Sequence, residues 1–180
     1  QMRIETERLI LRPVCEEDCY DIFELSKDHS VGKNAGWKPH ESIEETKKIL
    51  NEIFIGKDGI FAIVLKDTSK VIGTVGLIDD TARKNSTAKM IGYSLSHKYW
   101  GLGYMTESVK AVIEYGFTFM DLSIISATCY PHNQRSKSVL KKCGFEYEGT
   151  LRQCDVIYDG TVYDCEYYSI TEDEYKKITA

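Results

Sequence analysis

The stretch from Met90 to Met105, MIGYSLSHKYWGLGYM, constrains the fold most. A β-rich run leads into Lys98-Tyr99-Trp100-Gly101-Leu102-Gly103, and a helix opens directly behind it. That helix is the clearest in the chain. Val109, Val112, Ile113, Gly116, Phe117 and Met120 recur at the 3.6-residue period and make one apolar stripe. The glycines permit a tight turn that exposes successive N–H groups. With the helix N-terminus these groups form an anion site that a pyrophosphate fits. The turn is not a P-loop, because no Gly-Lys-Ser/Thr follows. It also fails the dinucleotide pattern, since Thr106 occupies the third glycine position. Alone, a Gly-x-Gly before a helix is as often a plain turn as a phosphate cradle.

Weaker signals order the rest. Arg8-Leu9-Ile10-Leu11-Arg12 reads as a strand stopped by Pro13. A helix is expected over 16–27, with acids in its first turn, and a loop over 34–41 carrying Trp37, Pro39 and His40. Ser42 caps a second helix, with Glu45 at the capping-box position. Short strands are expected over 60–66, 71–78 and 89–95, with a polar loop over 79–88. Beyond the long helix come a strand over 123–130 and a helix over 133–143 that stops at Gly144. Two late strands, near 152–158 and 161–170, flank the hairpin signal Asp159-Gly160. The order predicts an α/β fold with a largely antiparallel sheet.

Composition narrows the function classes. A chain of 180 residues, 42% hydrophobic, suits one domain, here 2–180, that can bury a core without disulfide or metal staples. A net charge of -5 argues against a general nucleic-acid binder. The six cysteines form no CxxC pair and share no ligand spacing with the four histidines. They read as reduced thiols, so a cytoplasmic protein without a metal is expected. No apolar run reaches the length of a membrane span, and no apolar leader is seen near the start.

Several motifs together resemble one family. Lys98-x-x-Gly101-x-Gly103 between a strand and a helix is similar to the coenzyme A signature of the GCN5-related N-acetyltransferases, the GNAT superfamily. Lysine stands where Arg or Gln is usual, which still keeps a positive donor near phosphate. The opening Thr6-Glu7-Arg8-Leu9-Ile10-Leu11-Arg12-Pro13 resembles the RimJ/RimL branch, the ribosomal-protein N-terminal acetyltransferases and their relatives. So do Gly103-Tyr104-Met105-Thr106-Glu107-Ser108 and Asn133-x-x-Ser136-x-x-Val139 with Lys142-Cys143-Gly144-Phe145. Glu148-Gly149-x-x-Arg152 completes the series, and the motifs span nearly the whole chain in order.

The resemblance implies a single GNAT domain. Its mostly antiparallel sheet would have about six to seven strands and about four flanking helices. Two parallel strands, 89–95 and 123–130, would splay to admit the pantetheine arm. Backbone N–H groups from Trp100 through Gly101, Leu102, Gly103, Tyr104 and Met105 would hold the pyrophosphate, with a hydroxyl from Thr106. Leu95 and Ser96 would meet the coenzyme at the strand end, and the N–H near Leu95 would support the thioester oxyanion. Asn133 would bond the pantetheine arm, or serve as an ordinary N-cap, or both.

The catalytic pair departs from the common pattern. Many members carry an acidic tyrosine seven residues after this asparagine, where Leu140 stands here. In the RimL-like branch a serine three residues after the asparagine is the proposed acid, and Ser136 matches it; otherwise it is a small residue packed beside the coenzyme. Asp155 matches the position of the general base, normally a glutamate, and its shorter arm suggests a water relay; otherwise it is a surface strand acid. An α-amine with a pKa of about 8 needs only modest help from such a carboxylate. Trp37, His40 and Tyr93 would line the acceptor site, although a solvated loop histidine is a simpler reading of His40. Lys137, Lys141 and Lys142 either screen the coenzyme's outer phosphate or are the solvated face of their helix.

The implied activity is transfer of an acetyl group from acetyl-CoA to a primary amine by direct attack, with no covalent enzyme intermediate. The acceptor is a protein N-terminal α-amine or a small-molecule amine, and a homodimer is possible by analogy with the fold. The alternative is a CoA-binding sensor or interaction module without turnover, which the missing tyrosine and shortened base keep open.

Overall fold

The computed structural model describes residues 3–180. The chain runs β1 (Ile4–Glu5), β2 (Leu9–Pro13), a 3₁₀ turn (Glu16–Asp18), α1 (Cys19–Ser26) and α2 (His29–Lys33). Next come α3 (Ile43–Ile49), a π turn (Leu50–Phe54), β3 (Ile60–Leu65), β4 (Val71–Asp79) and β5 (Ala88–Leu95). A 3₁₀ turn (His97–Tyr99) leads to α4 (Tyr104–Phe119), β6 (Ile124–Cys129) and α5 (Gln134–Lys142). The chain ends in β7 (Glu146–Val156), β8 (Val162–Thr171) and α6 (Glu172–Thr179). All strands join one sheet in the order β1-β2-β3-β4-β5-β6-β8-β7. Every neighbouring pair is antiparallel except β5 and β6.

The sheet divides the apolar residues into two cores. β3 is buried on both faces because its side chains alternate between them. Phe61 and Ile63 join the α4 stripe of Val109, Val112 and Ile113, all essentially inaccessible. Ile60, Ala62 and Val64 meet Cys19 and Ile22 of α1 and Leu50 of the π turn. The second core ends at β4, and among the described residues it includes none from β5, β6 or β8. The sheet face beyond it is one wall of the cleft.

The structure departs from expectation where local patterning is weak. Among the described residues there are eight strands and six helices rather than six to seven and four. The helix expected over 16–27 opens as a 3₁₀ turn and becomes α-helical at Cys19. Buried Asp18 at that junction takes two 2.8 Å bonds from the Arg12 guanidinium. α2 leaves no periodic signal because it is five residues long, and α6 little because its first turn is charged throughout. Thr171 and Glu174 form a full capping box at α6. β7 begins six residues before Arg152. Its period-2 alternation is broken by a register shift at Gly149 (φ 153°) and another around Gln153 (φ 49°).

Candidate active site

The turn before α4 is a backbone construction. Gly101 and Gly103 hold φ of 76° and 83°, and Gly103 is the N-cap. A Cβ on Gly101 would meet nothing within 4 Å, so conformation rather than space calls for glycine there. The first N–H groups of α4 have no acceptor inside the helix and point out of its N-terminus. The opening Thr-Glu-Arg motif holds this turn from a distance. Thr6 Oγ1 and the Arg8 backbone N–H donate to Glu107 Oε2 at 2.6 and 2.9 Å. Arg8 Nε donates to Glu107 Oε1 at 2.8 Å, and its Nη1 to the Leu102 carbonyl at 2.9 Å. Its guanidinium also lies 4.2 Å above the Tyr104 ring. Burial disfavours the Glu107 carboxylate, but the Thr6 and Arg8 bonds outweigh it and leave its pKa lowered.

The central ladder opens beside this turn. β5 and β6 pair only at Ala88–Ile124, Lys89–Ile125 and Met90–Ser126, then part. Ser96 N donates to the Ile72 carbonyl at 2.8 Å, and Leu95 lies opposite Gly73. In an antiparallel pair hydrogen-bonding direction alternates, so the Leu95 N–H faces the gap. The Leu95 carbonyl is held by Trp100 Nε1 at 2.9 Å, and Arg135 caps that indole with its guanidinium 3.4 Å above the ring.

α5 starts across the gap. Asn133 is its N-cap and accepts from the Ser136 N–H at 3.2 Å through Oδ1. Ser136 is buried, and its Oγ lies 2.7 Å from the Tyr93 hydroxyl. Burial raises the Tyr93 pKa, against an opposing pull from Ser136. The neighbouring Cys129 and Cys143 thiols are both pushed up to about 11, chiefly by burial. At neutral pH they are thiols rather than thiolates.

The sheet face beyond the second core supplies the other side. Thr74, Gly76 and Ile78 of β4 lie beside Met90, Gly92 and Ser94 of β5. Trp37, Ile53, Phe54, Tyr130 and Asp155 line the same cleft. Tyr130 donates its hydroxyl to Asp155 Oδ2 at 2.5 Å. Burial, then the Asp155 carboxylate, raises the Tyr130 pKa. The two sides form one cleft of about 650 Å³ that passes through the ladder gap.

The cleft gathers Leu95, Trp100, Gly101, Gly103, Tyr104, Met105, Thr106, Asn133, Ser136, Asp155, Trp37 and Tyr93. Ser96, Lys98, Leu102 and His40 stand outside its lining. Lys98 is exposed on the 3₁₀ turn, and the exposed Leu102 offers its carbonyl to Arg8. His40 turns away: its Nδ1 lies 2.8 Å from Thr46 Oγ1, and burial lowers its pKa. Tyr93, expected at the acceptor, belongs instead to the α4 side with Ile91 and Leu95. Of the helix lysines, Lys142 lines the cleft, while Lys137 pairs with Glu166 at 3.2 Å.

Arg8, Tyr130 and Arg135 were not foreseen. Arg8 belongs to the opening motif, and Arg135 directly follows the Asn133 cap region. Nothing local singled out Tyr130 among twelve tyrosines. The arrangement suits an elongated ligand with an anionic end. N–H groups and left-handed glycines stand at one end, Arg135 and Lys142 flank it, and a slot leads to Ser136 and Asp155.

Comparison with known proteins agrees with this geometry. Residues 8–146 match the family model described as an acetyltransferase (GNAT) domain. An uncharacterised N-acetyltransferase of Bacillus subtilis is 35% identical over 152 residues, 82% of this chain and 85% of its own. The ribosomal protein uS5-alanine N-acetyltransferase of Escherichia coli is 28% identical over 163 residues, 83% and 80% of the two chains. The crystal structure of a GNAT-family acetyltransferase from Bacillus anthracis superposes with a TM-score of 0.84. It shares 28% identity and covers 96% of this chain and 99% of its own.

Proposed function

This chain belongs to the GNAT acetyltransferase family, and from that premise we propose that it moves an acetyl group from acetyl-CoA directly onto a primary amine. The observation that carries the reading is the opened β5–β6 ladder, which puts the Leu95 N–H, Ser136 and Asp155 on one continuous cleft. When bound, acetyl-CoA supplies an activated thioester. The α4 N-terminus and the turn at Gly101 and Gly103 hold its pyrophosphate, with Arg135 and Lys142 beside them. Because Asn133 Oδ1 is committed to the helix cap, its contact with the pantetheine arm comes from Nδ2.

The Leu95 N–H stabilises the oxyanion, and the Trp100 bond to the Leu95 carbonyl, in the next peptide unit, restrains the strand end that carries it. Asp155 takes a proton from the bound ammonium, directly or through one water, while Tyr130 holds the carboxylate still. The amine nitrogen then bonds the acyl carbon as the carbon–sulfur bond breaks. Ser136, supported by Tyr93, protects the departing sulfur with a proton. Of the ammonium's three protons, one stays on the amide, one ends on sulfur and one leaves through Asp155. The raised cysteine pKa values favour this direct route over a thiolate relay.

The acceptor is a protein N-terminal α-amine or a small amine; the uS5-alanine relative lends weight to the first. Incubation with acetyl-CoA and a panel of peptides, polyamines, aminoglycosides and amino acids, read by mass spectrometry, tests the proposal. Product on any amine supports it. Coenzyme binding without product on any amine makes the protein a CoA-binding module instead.

A further inference from the structure

The acceptor half of the cleft has an unusual charge inventory. Among the described residues, Asp155 is the only acidic one that lines the cleft, and the basic ones, Arg135 and Lys142, both belong to the α5 side. Two carboxylates outside the lining, Asp80 and Glu148, are already matched by Arg83. Asp80 accepts from Ser126 at 2.6 Å and from Arg83 at 3.1 Å, and Glu148 pairs with the same arginine. Trp37, Ile53, Phe54, Ile78 and Met90 make the remaining wall largely apolar.

The floor is hollow for a specific reason. Gly76 and Gly92 face each other across β4 and β5. A Cβ on Gly76 would strike Ile60 Cγ1 at 2.8 Å, so that glycine serves packing. A Cβ on Gly92 would meet nothing within 4 Å, although Gly92 lies in a central strand and lines the cleft. Packing therefore does not require glycine at 92, and its missing side chain leaves open space in the cleft lining.

Resting on the proposed transfer to an amine, we infer that the acceptor carries a single positive charge on an apolar body, with its amine at Asp155 and its body over Gly92. A second ammonium would enter the apolar wall without a counter-charge, which is costly. The chemistry excludes polyamines and aminoglycosides as preferred substrates. It fits an α-amine followed by apolar residues or a free apolar amine.

Acetylation kinetics of isopentylamine, phenethylamine, an Ala-Leu-starting peptide and spermidine test this, with binding to CoA-loaded protein measured by calorimetry. Single-charge acceptors should exceed spermidine in kcat/KM by about tenfold or more, as expected for an unpaired charge in an apolar wall. The peptide and free-amine arms distinguish the two sources. Gly92→Leu, which fills open space, should lower kcat/KM and calorimetric affinity for these acceptors by at least about tenfold, with CoA affinity unchanged. Preference for spermidine, or acceptor kinetics indifferent to Gly92→Leu, overturns the inference alone. Binding of CoA with no acetylation of any amine overturns the transfer reading and the inference together.

Discussion

The two halves of the cleft are made by different means. The half proposed for the coenzyme comes from one short run, Leu95 to Thr106, and the first turns of α5, and it presents backbone N–H groups and helix ends. The half proposed for the acceptor gathers Trp37, Phe54, Gly92, Tyr130 and Asp155 from five separate parts of the chain, and it presents side chains or their absence. Backbone recognition survives most substitutions, because only residues that dictate φ matter to it. Side-chain recognition changes with each residue. The difference teaches why a family can keep one donor and vary its acceptors on a constant scaffold.

If the halves are independent, damage to one should leave the other unmoved. The largest expected effect is from Asp155→Asn, which should cut kcat/KM by about 10²–10⁴-fold, the usual worth of a general base. Calorimetry should find CoA affinity unchanged; a matching loss there would break the comparison. Gly103→Ala should act on the other side. An alanine at φ 83° costs about 1–2 kcal/mol, so CoA affinity should fall about tenfold while the acceptor KM holds.

The smallest effect is expected from acid. Glu107 has a folded pKa below its ordinary value of 4.5. Its contribution to stability is therefore complete above about that pH and is lost as pH falls through the lower folded value. Thermal melts between pH 6 and 3 should show this fall, and Glu107→Gln should flatten it. At neutral pH that variant should lose about 1–2 kcal/mol, the scale of hydrogen bonds to a partly exposed charge. Unchanged acid sensitivity in Glu107→Gln would remove the Arg8–Glu107 brace from the account of the coenzyme half.

The same contrast decided what the sequence revealed. The α4 turn, the Asn133 cap and the long helix depend on neighbours a few residues apart, and they stand where the spacing predicts them. The Arg8–Glu107 brace joins residues 99 apart, so its motif was visible and its purpose was not. His40 lies three positions from Trp37, yet Thr46 draws it away from the cleft. Tyr93 and Trp37 were both expected at the acceptor. Strand alternation sends Tyr93 to the opposite face, against Ser136. The reach from β8 and β7 that sets Asp155 against Tyr130 passes through a register shift no local pattern announces.

The parted ladder has a mechanical meaning as well. Beyond Met90, β5 is held on one side only, so a strand at the middle of the sheet behaves like one at its rim. Three residue pairs tie the β1–β5 plate to the β6–β8 plate along their shared border. An unpaired border therefore lies inside the sheet, bridged on one face by α4. A ligand lodged in that slot would act as a splint, stiffening the protein from the inside outward.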